Sequence, residues 1–183
     1  MAKKPTSSSR RAPAWIAFAV DREGSDAPRD VSADFIPDPD LPAEFQSQGE
    51  DYRGNPYDRG HLVSTIDARS AGADAEREAY YYTAVVPQAQ ATNRGIWYGL
   101  EQYTREVAAR GGPVYVLSGP VYSAGQTLVI GPGETRVPVA LYRVLLRRDS
   151  AGSWQAVAFV VLNDGSAGRF VPETFAVAIS DVE

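Results

Sequence analysis

One apolar stripe restricts the fold more than any other feature. Over residues 90–110, Ile96, Leu100, Tyr103 and Val107 recur at three- and four-residue spacing, and Gly111-Gly112 ends the pattern. This spacing predicts a long helix that must bury one side. Three apolar runs follow, at 113–122, 136–147 and 154–163, and the turn RDSAGS (148–153) joins the last two as a hairpin. Upstream, AWIAFAV (14–20) reads as a first strand and ADAEREAY (73–80) as a short helix. YYTAVV (81–86) reads as a strand stopped by Pro87. Runs of strands broken by two helices predict an α+β domain with a mostly antiparallel central sheet flanked by helices.

The outer limits follow from composition. Residues 1–13, rich in Ser, Lys, Arg and Pro, read as a disordered basic tail, and 14–183 as a single domain. Residues 21–56 carry many Pro, Asp and Gly residues and read as a long irregular connection, a kind of segment usually built around a site. No apolar run approaches 18 residues, so no membrane helix is expected. The apolar stretch at 15–20 is too short for a signal-peptide core, and Asp21 follows at once. A soluble protein is expected, with its location open. The absence of cysteine excludes disulfides, thiolate zinc sites and a Cys nucleophile. The net charge of -5 weighs against a polyanion partner, but the local field at a surface decides such binding.

With one histidine in the chain, any imidazole chemistry runs through His61. It closes the run Asp58-Arg59-Gly60-His61. Gly60 gives the backbone a freedom that could present its neighbours sharply. Arg59 offers a planar fork of donors to a phosphate, and an unperturbed imidazole takes a proton near neutral pH. Four residues alone leave a purely structural histidine open. On the long helix, Asn93, Trp97 and Glu101 fall at i, i+4 and i+8 and share one side. Amide and carboxylate oxygens are the hard donors that magnesium accepts, and magnesium needs few protein ligands. The alternative is that Asn93 caps the helix while Glu101 pairs with Arg105.

The segment EDYRGNPYDRGHLVST (50–65) resembles the signature of the DNA/RNA non-specific endonucleases, the ββα-metal or His-Me finger nucleases of endonuclease G type. PQAQATNRGIWYGLEQYTR (87–105) is similar to that family's second motif, with Pro87, Gln88, Asn93, Trp97 and Glu101 matching in type and spacing. PVYVLSGPVY (113–122) resembles a third block, a core strand ending in Gly-Pro. The resemblance implies a ββα-metal fold and sequence-non-specific hydrolysis of DNA and RNA to 5′-phosphate ends. It implies His61 as general base, Asn93 as direct ligand of Mg2+ (or Mn2+), Glu101 acting through metal-bound water and Gln88 near the metal. It implies Arg59 on the scissile phosphate and Asp58 ordering the site. Arg29, Arg53 and Arg94 are expected as further phosphate contacts. A protein inhibitor is a second expected partner; oligomeric state stays open. Two alternatives share the same motifs: a catalytically silent nucleic-acid-binding relative, and a nuclease toxin with a dedicated inhibitor. Three positions depart from the family pattern. Ala84 stands where many relatives have Asn, Val63-Ser64 replaces Ala-Pro, and Arg29 is an inexact counterpart of the upstream arginine.

Overall fold

The structure is a computed structural model that describes residues 6–7, 10–21, 34–125, 127–166 and 168–182. Its frame is a five-stranded antiparallel sheet. The strands are β3 (Ile16–Val20), β6 (Val114–Val121), β9 (Ala140–Arg148), β10 (Trp154–Leu162) and β11 (Ala176–Val177), in the spatial order β11-β10-β9-β6-β3. Alternation within β6 sends Val114 and Val116 inward and Tyr115 outward, as the two-residue strand period requires. The expected hairpin is present: Trp154 pairs with Arg148, and the register runs without a break to Leu162 opposite Ala140.

The long helix α3 (Tyr98–Gly111) lies across the inner face of this sheet. Ile96, Trp97, Leu100 and Ala108 pack with Val114, Val116, Leu141, Leu145, Phe159 and Val161 in one core, and Tyr103 and Val107 border it. Tyr103 meets Phe159 edge to face at 5.7 Å. The stripe of the sequence is therefore the buried side of the helix. Burial of this kind stabilises at roughly 25 cal/mol per Å² of apolar surface removed from water. Gly112, at φ 84, ends the helix in the left-handed region where a side chain would be strained.

A separate ribbon carries the motif residues. β4 (Tyr57–His61) pairs antiparallel with β5 (Val85–Ala89), and between them run α1 (Thr65–Arg69), α2 (Ala73–Ala79) and a 3-10 turn at Tyr82–Ala84. Two sequence expectations change here. The strand expected at 81–86 starts later, at Val85, and Pro87 lies inside it, opposite Arg59. β5 pairs with one strand only, so its free edge accommodates a residue without an N–H. Buried Asn163 fastens the ribbon to the main sheet: its Nδ2 donates to the carbonyls of Pro87 and Pro138, and its Oδ1 accepts from the Ala89 N–H.

The segment expected as a tail is anchored at its end. Ala12 is buried, in the short ladder of β1 (Thr6–Ser7) with β2 (Ala12–Pro13). Arg11 donates to the carbonyls of Ala43, Gln46 and Gly133. A tail boundary at residue 13 thus falls too late, because a basic side chain that looks solvated in sequence satisfies three loop carbonyls. The described part of the long connection is held in the same way. Buried Gln46 bonds to Asp38 and Leu41, and buried Asp51 accepts from Gln48, Gly133 and Thr135. A further short ladder, β7 (Val129–Ile130) with β8 (Thr135–Arg136), closes that side, and α4 (Pro172–Phe175) precedes β11. Among the described residues, no helix is long and apolar enough to cross a membrane.

Candidate active site

The end of β4, the start of α1 and the start of the long helix enclose one cavity of about 440 Å³, bordered by His61, Ser64, Thr65, Ile66, Asn93, Arg94, Tyr98 and Glu101. Four of the expected site residues, His61, Asn93, Arg94 and Glu101, thus meet there.

The local chain explains the meeting. Residues Thr92–Trp97 form a π-helical turn before α3 begins. In an uninterrupted α-helix, eight positions drift by about 80° around the axis. A π turn holds more residues per revolution, so each advances by a smaller angle. Asn93 and Glu101 are thereby brought closer to one line. Trp97, between them in sequence, is buried, and its Nε1 donates to the His61 carbonyl at 2.9 Å. It is thus the peg that fixes the histidine backbone.

The His61 ring lies 5.2 Å from Phe35 and 6.1 Å from Tyr80. The Ala79 carbonyl acts on the ring as a hydrogen-bond acceptor, while Nε2 is buried with no partner among the described residues. The proton therefore sits on Nδ1, and Nε2 carries a lone pair. Burial pushes the imidazole down to about 4, against the opposing effect of Ala79. Titration near neutral pH, the value of a free imidazole, does not hold in this setting.

Asp58 accepts three hydrogen bonds, from Asn93 Nδ2 at 2.9 Å and from Arg94 Nε and Nη2 at 2.8 Å each. Burial works against its charge, but these bonds outweigh it and hold the carboxyl below its usual range. Because Asp58 takes the NH2 group of Asn93, the amide is oriented and its carbonyl oxygen faces away from the carboxylate. Arg94, expected on substrate phosphate, instead presents its fork to Asp58.

Behind the cavity lies a charged layer that the motifs did not reveal. Arg143, fully buried, donates to Ser118 Oγ and the Leu62 carbonyl, lies over the Trp97 ring at 4.6 Å and comes within 3.9 Å of Glu101. Arg105 donates to Asp67 and Ser64. Burial pushes Glu101 up to about 7, with Arg143 opposing. A sequence signal for Arg143 exists: it is the one charge inside the apolar run VALYRVLL, and a buried charge requires partners.

The remaining expectations divide. Arg59 lies on the His61 side of β4 but does not border the cavity; its guanidinium sits over Phe35 at 5.4 Å and Tyr52 at 5.5 Å. Gln88, expected near the metal, is fully buried and does not border the cavity either. Its side chain lies across Gly60, where an added Cβ would meet it at 2.1 Å. Gly60 has no positive φ, so close approach, not backbone freedom, accounts for this glycine. Arg53 is exposed and away from the cavity lining. Arg29 lies outside the described residues. Ala84 is buried, Val63 is core, and Ser64 caps α1 by accepting from the Asp67 N–H.

The family model for DNA/RNA non-specific endonuclease matches residues 5–183. The mitochondrial nuclease EXOG of Danio rerio is 33% identical over 186 residues, which covers 94% of this chain and 54% of that protein. The mitochondrial endonuclease G of Bos taurus is 29% identical over 180 residues, covering 92% and 60%. The chain spans about half the length of the EXOG relatives it matches. EndoG in its complex with EndoGI shares the fold with a TM-score of 0.90 at 25% identity, over 98% of this chain and 78% of that one. By the ββα order of its ribbon and helix and by the family model spanning residues 5–183, this chain belongs to the DNA/RNA non-specific endonuclease family.

Proposed function

We propose that this chain is a metal-dependent endonuclease that hydrolyses phosphodiester bonds in DNA and RNA without sequence preference and leaves 5′-phosphate ends. The observation that carries the reading is the shared cavity, bordered by a histidine whose Nε2 has no partner among the described residues, an oriented amide and a carboxylate.

The donors suit a divalent cation such as Mg2+, with Mn2+ as a substitute. Asn93 presents a carbonyl oxygen that Asp58 leaves free, and Glu101 adds a carboxylate in the same cavity. Among the described residues, no group of three His, Cys, Asp or Glu side chains is gathered for a metal. The site therefore fits an ion that keeps most of its water. Asn93 would hold it directly and Glu101 through water. When bound, such an ion supplies Lewis-acid relief to a phosphate oxygen and to the departing 3′ oxygen.

The protein's own part follows from the geometry. His61 Nε2, neutral and without a competing partner, accepts the proton of the attacking water. Trp97 holds the His61 backbone while Ala79 fixes the tautomer. Asp58, braced by Arg94, keeps the Asn93 oxygen turned to the cavity. Arg59, on the His61 side of the strand, adds positive field along the path of a phosphate chain. Contacts made to phosphate and sugar carry no base code, so cleavage lacks sequence preference and weakens steeply with salt. A protein inhibitor is a fitting second partner, since EndoG forms a complex with EndoGI.

Digestion of matched DNA and RNA with Mg2+, Mn2+ or chelator tests the reading. Wild type cuts both with either ion and neither with chelator, and His61→Ala lowers the rate by roughly 10²–10⁴ while keeping a wild-type circular dichroism spectrum. Near-normal digestion by His61→Ala sinks the assignment of the base.

A further inference from the structure

Two apolar side chains stand at the mouth of this polar cavity, and the mechanism above uses neither. Tyr98 opens α3 and is half exposed. Ile66, in the first turn of α1, is 37% exposed. Both border the cavity that holds His61, Asn93 and Glu101. The Tyr98 ring is held in place: Gln102, one turn along the helix, donates to its hydroxyl at 2.5 Å. Tyr115 and Trp154, two other exposed aromatic rings, cover each other at 5.8 Å, whereas Tyr98, like Phe45 away from this cavity, makes no ring contact among the described residues. An exposed, uncovered aromatic ring thus borders the space where a phosphate would be cut.

We propose that Tyr98, with Ile66 opposite it, forms a nucleobase subsite that takes one unpaired base of the nucleotide flanking the scissile phosphate. The inference rests on the nuclease reading above. A phosphate placed between His61 and Asn93 has a base one sugar away, within reach of the cavity wall. In a closed duplex that base is stacked and paired inside the helix. In a single strand, a loop or a frayed end it turns out, and an aromatic ring is the usual surface that receives it. Every base has a π face, so the subsite discriminates between unpaired and paired strands without reading sequence. Gln102 fixes the ring in advance, which lowers the ordering cost of stacking.

The test uses single-stranded oligonucleotides with one cleavable linkage, flanked by a base or by an abasic sugar. Wild type loses about tenfold in kcat/KM on the abasic substrate. Tyr98→Ala loses about as much on the base-bearing substrate and nothing further on the abasic one, whereas Tyr98→Phe keeps the dependence on the base with a smaller loss, because the Gln102 bond that fixes the ring is gone. In chelator, where binding is read without cleavage, a 2-aminopurine at the flanking position is quenched by wild type and Tyr98→Phe but not by Tyr98→Ala. Losses that multiply between variant and abasic sugar, or equal quenching by Tyr98→Ala, overturn the subsite. If wild type cuts no linkage in Mg2+, the nuclease reading fails, and the quenching result still decides whether the ring binds a base.

Discussion

Arg94 and Arg143 each address a carboxylate of the same site, one from the water side and one from the core. Arg94 is 65% exposed and grips Asp58 with two bonds of 2.8 Å. Arg143 is buried and stands 3.9 Å from Glu101, with its bonds going to Ser118 and to the Leu62 carbonyl. The better geometry is thus at the surface. The contrast shows that pairing distance does not rank these arginines in stability. An exposed ion pair contributes little because water and salt compete with it. A buried cation has no such alternative, and everything it touches depends on it. Arg143 is a member of the core that happens to be charged, and Arg94 is a brace on the chemistry.

Removing each in turn gives the sharpest contrast. Arg143→Met leaves Glu101 without its nearest counter-charge and takes the donor from Ser118 and Leu62. The expected loss is about 3–5 kcal/mol in chemical denaturation, as for a buried pair stripped of one partner. A loss below about 1 kcal/mol would show that the core repacks around the gap and would erase the distinction. Arg94→Gln is expected to leave the denaturation midpoint close to wild type. It should raise the Mn2+ concentration needed for half-maximal activity by about tenfold, as for other residues that orient a ligand. Mn2+ binding measured calorimetrically should weaken in parallel. If instead nucleic-acid affinity falls and the salt slope drops by about one, Arg94 contacts phosphate and the brace is wrong.

The smallest effect lies in the pH profile. His61 is held down to about 4, below the 6.5 of a free imidazole. The neutral form of the ring is the active one, so His61 takes nothing from kcat/KM above about pH 5.5; the first fall, near 7, comes from Glu101, which burial pushes up to about 7, as its carboxylate gains a proton. The stability sign for the imidazole is the same. The unfolded chain binds the imidazole proton first, so the His61 contribution is complete above 6.5 and is lost as pH falls through 4. A midpoint near 6.5 that persists in Glu101→Gln would mean that the ring is open to water and that Phe35 and Tyr80 do not shield it.

Much of this arrangement was legible in the residues. The buried side of α3, the 148–153 hairpin and the α2 helix followed from local periodicity, which depends on neighbours in the chain. Asn93 and Glu101 could be placed together because they share a helix. The π turn that aligns them was invisible, since it is a change of hydrogen-bond register and not of composition. Phe35 over His61, Gln88 across Gly60 and Arg11 under three loop carbonyls were invisible for another reason. Each joins segments 26 or more residues apart and is decided by packing. The spacing that puts Trp97 on the side of Asn93 and Glu101 does not say which neighbour claims its indole N–H. Arg143 was the missed opportunity: a lone cation in an apolar strand announces a buried charge.

The crossing of Gln88 over Gly60 has a consequence for how such a chain can change. A side chain at 60 would meet not only the Gln88 amide but also its Cβ, at 2.6 Å. Shortening residue 88 to alanine therefore makes no room, and the strand backbone itself would have to shift. Position 60 is locked to glycine by its neighbour's stem, so its tolerance cannot be recovered by trimming that neighbour.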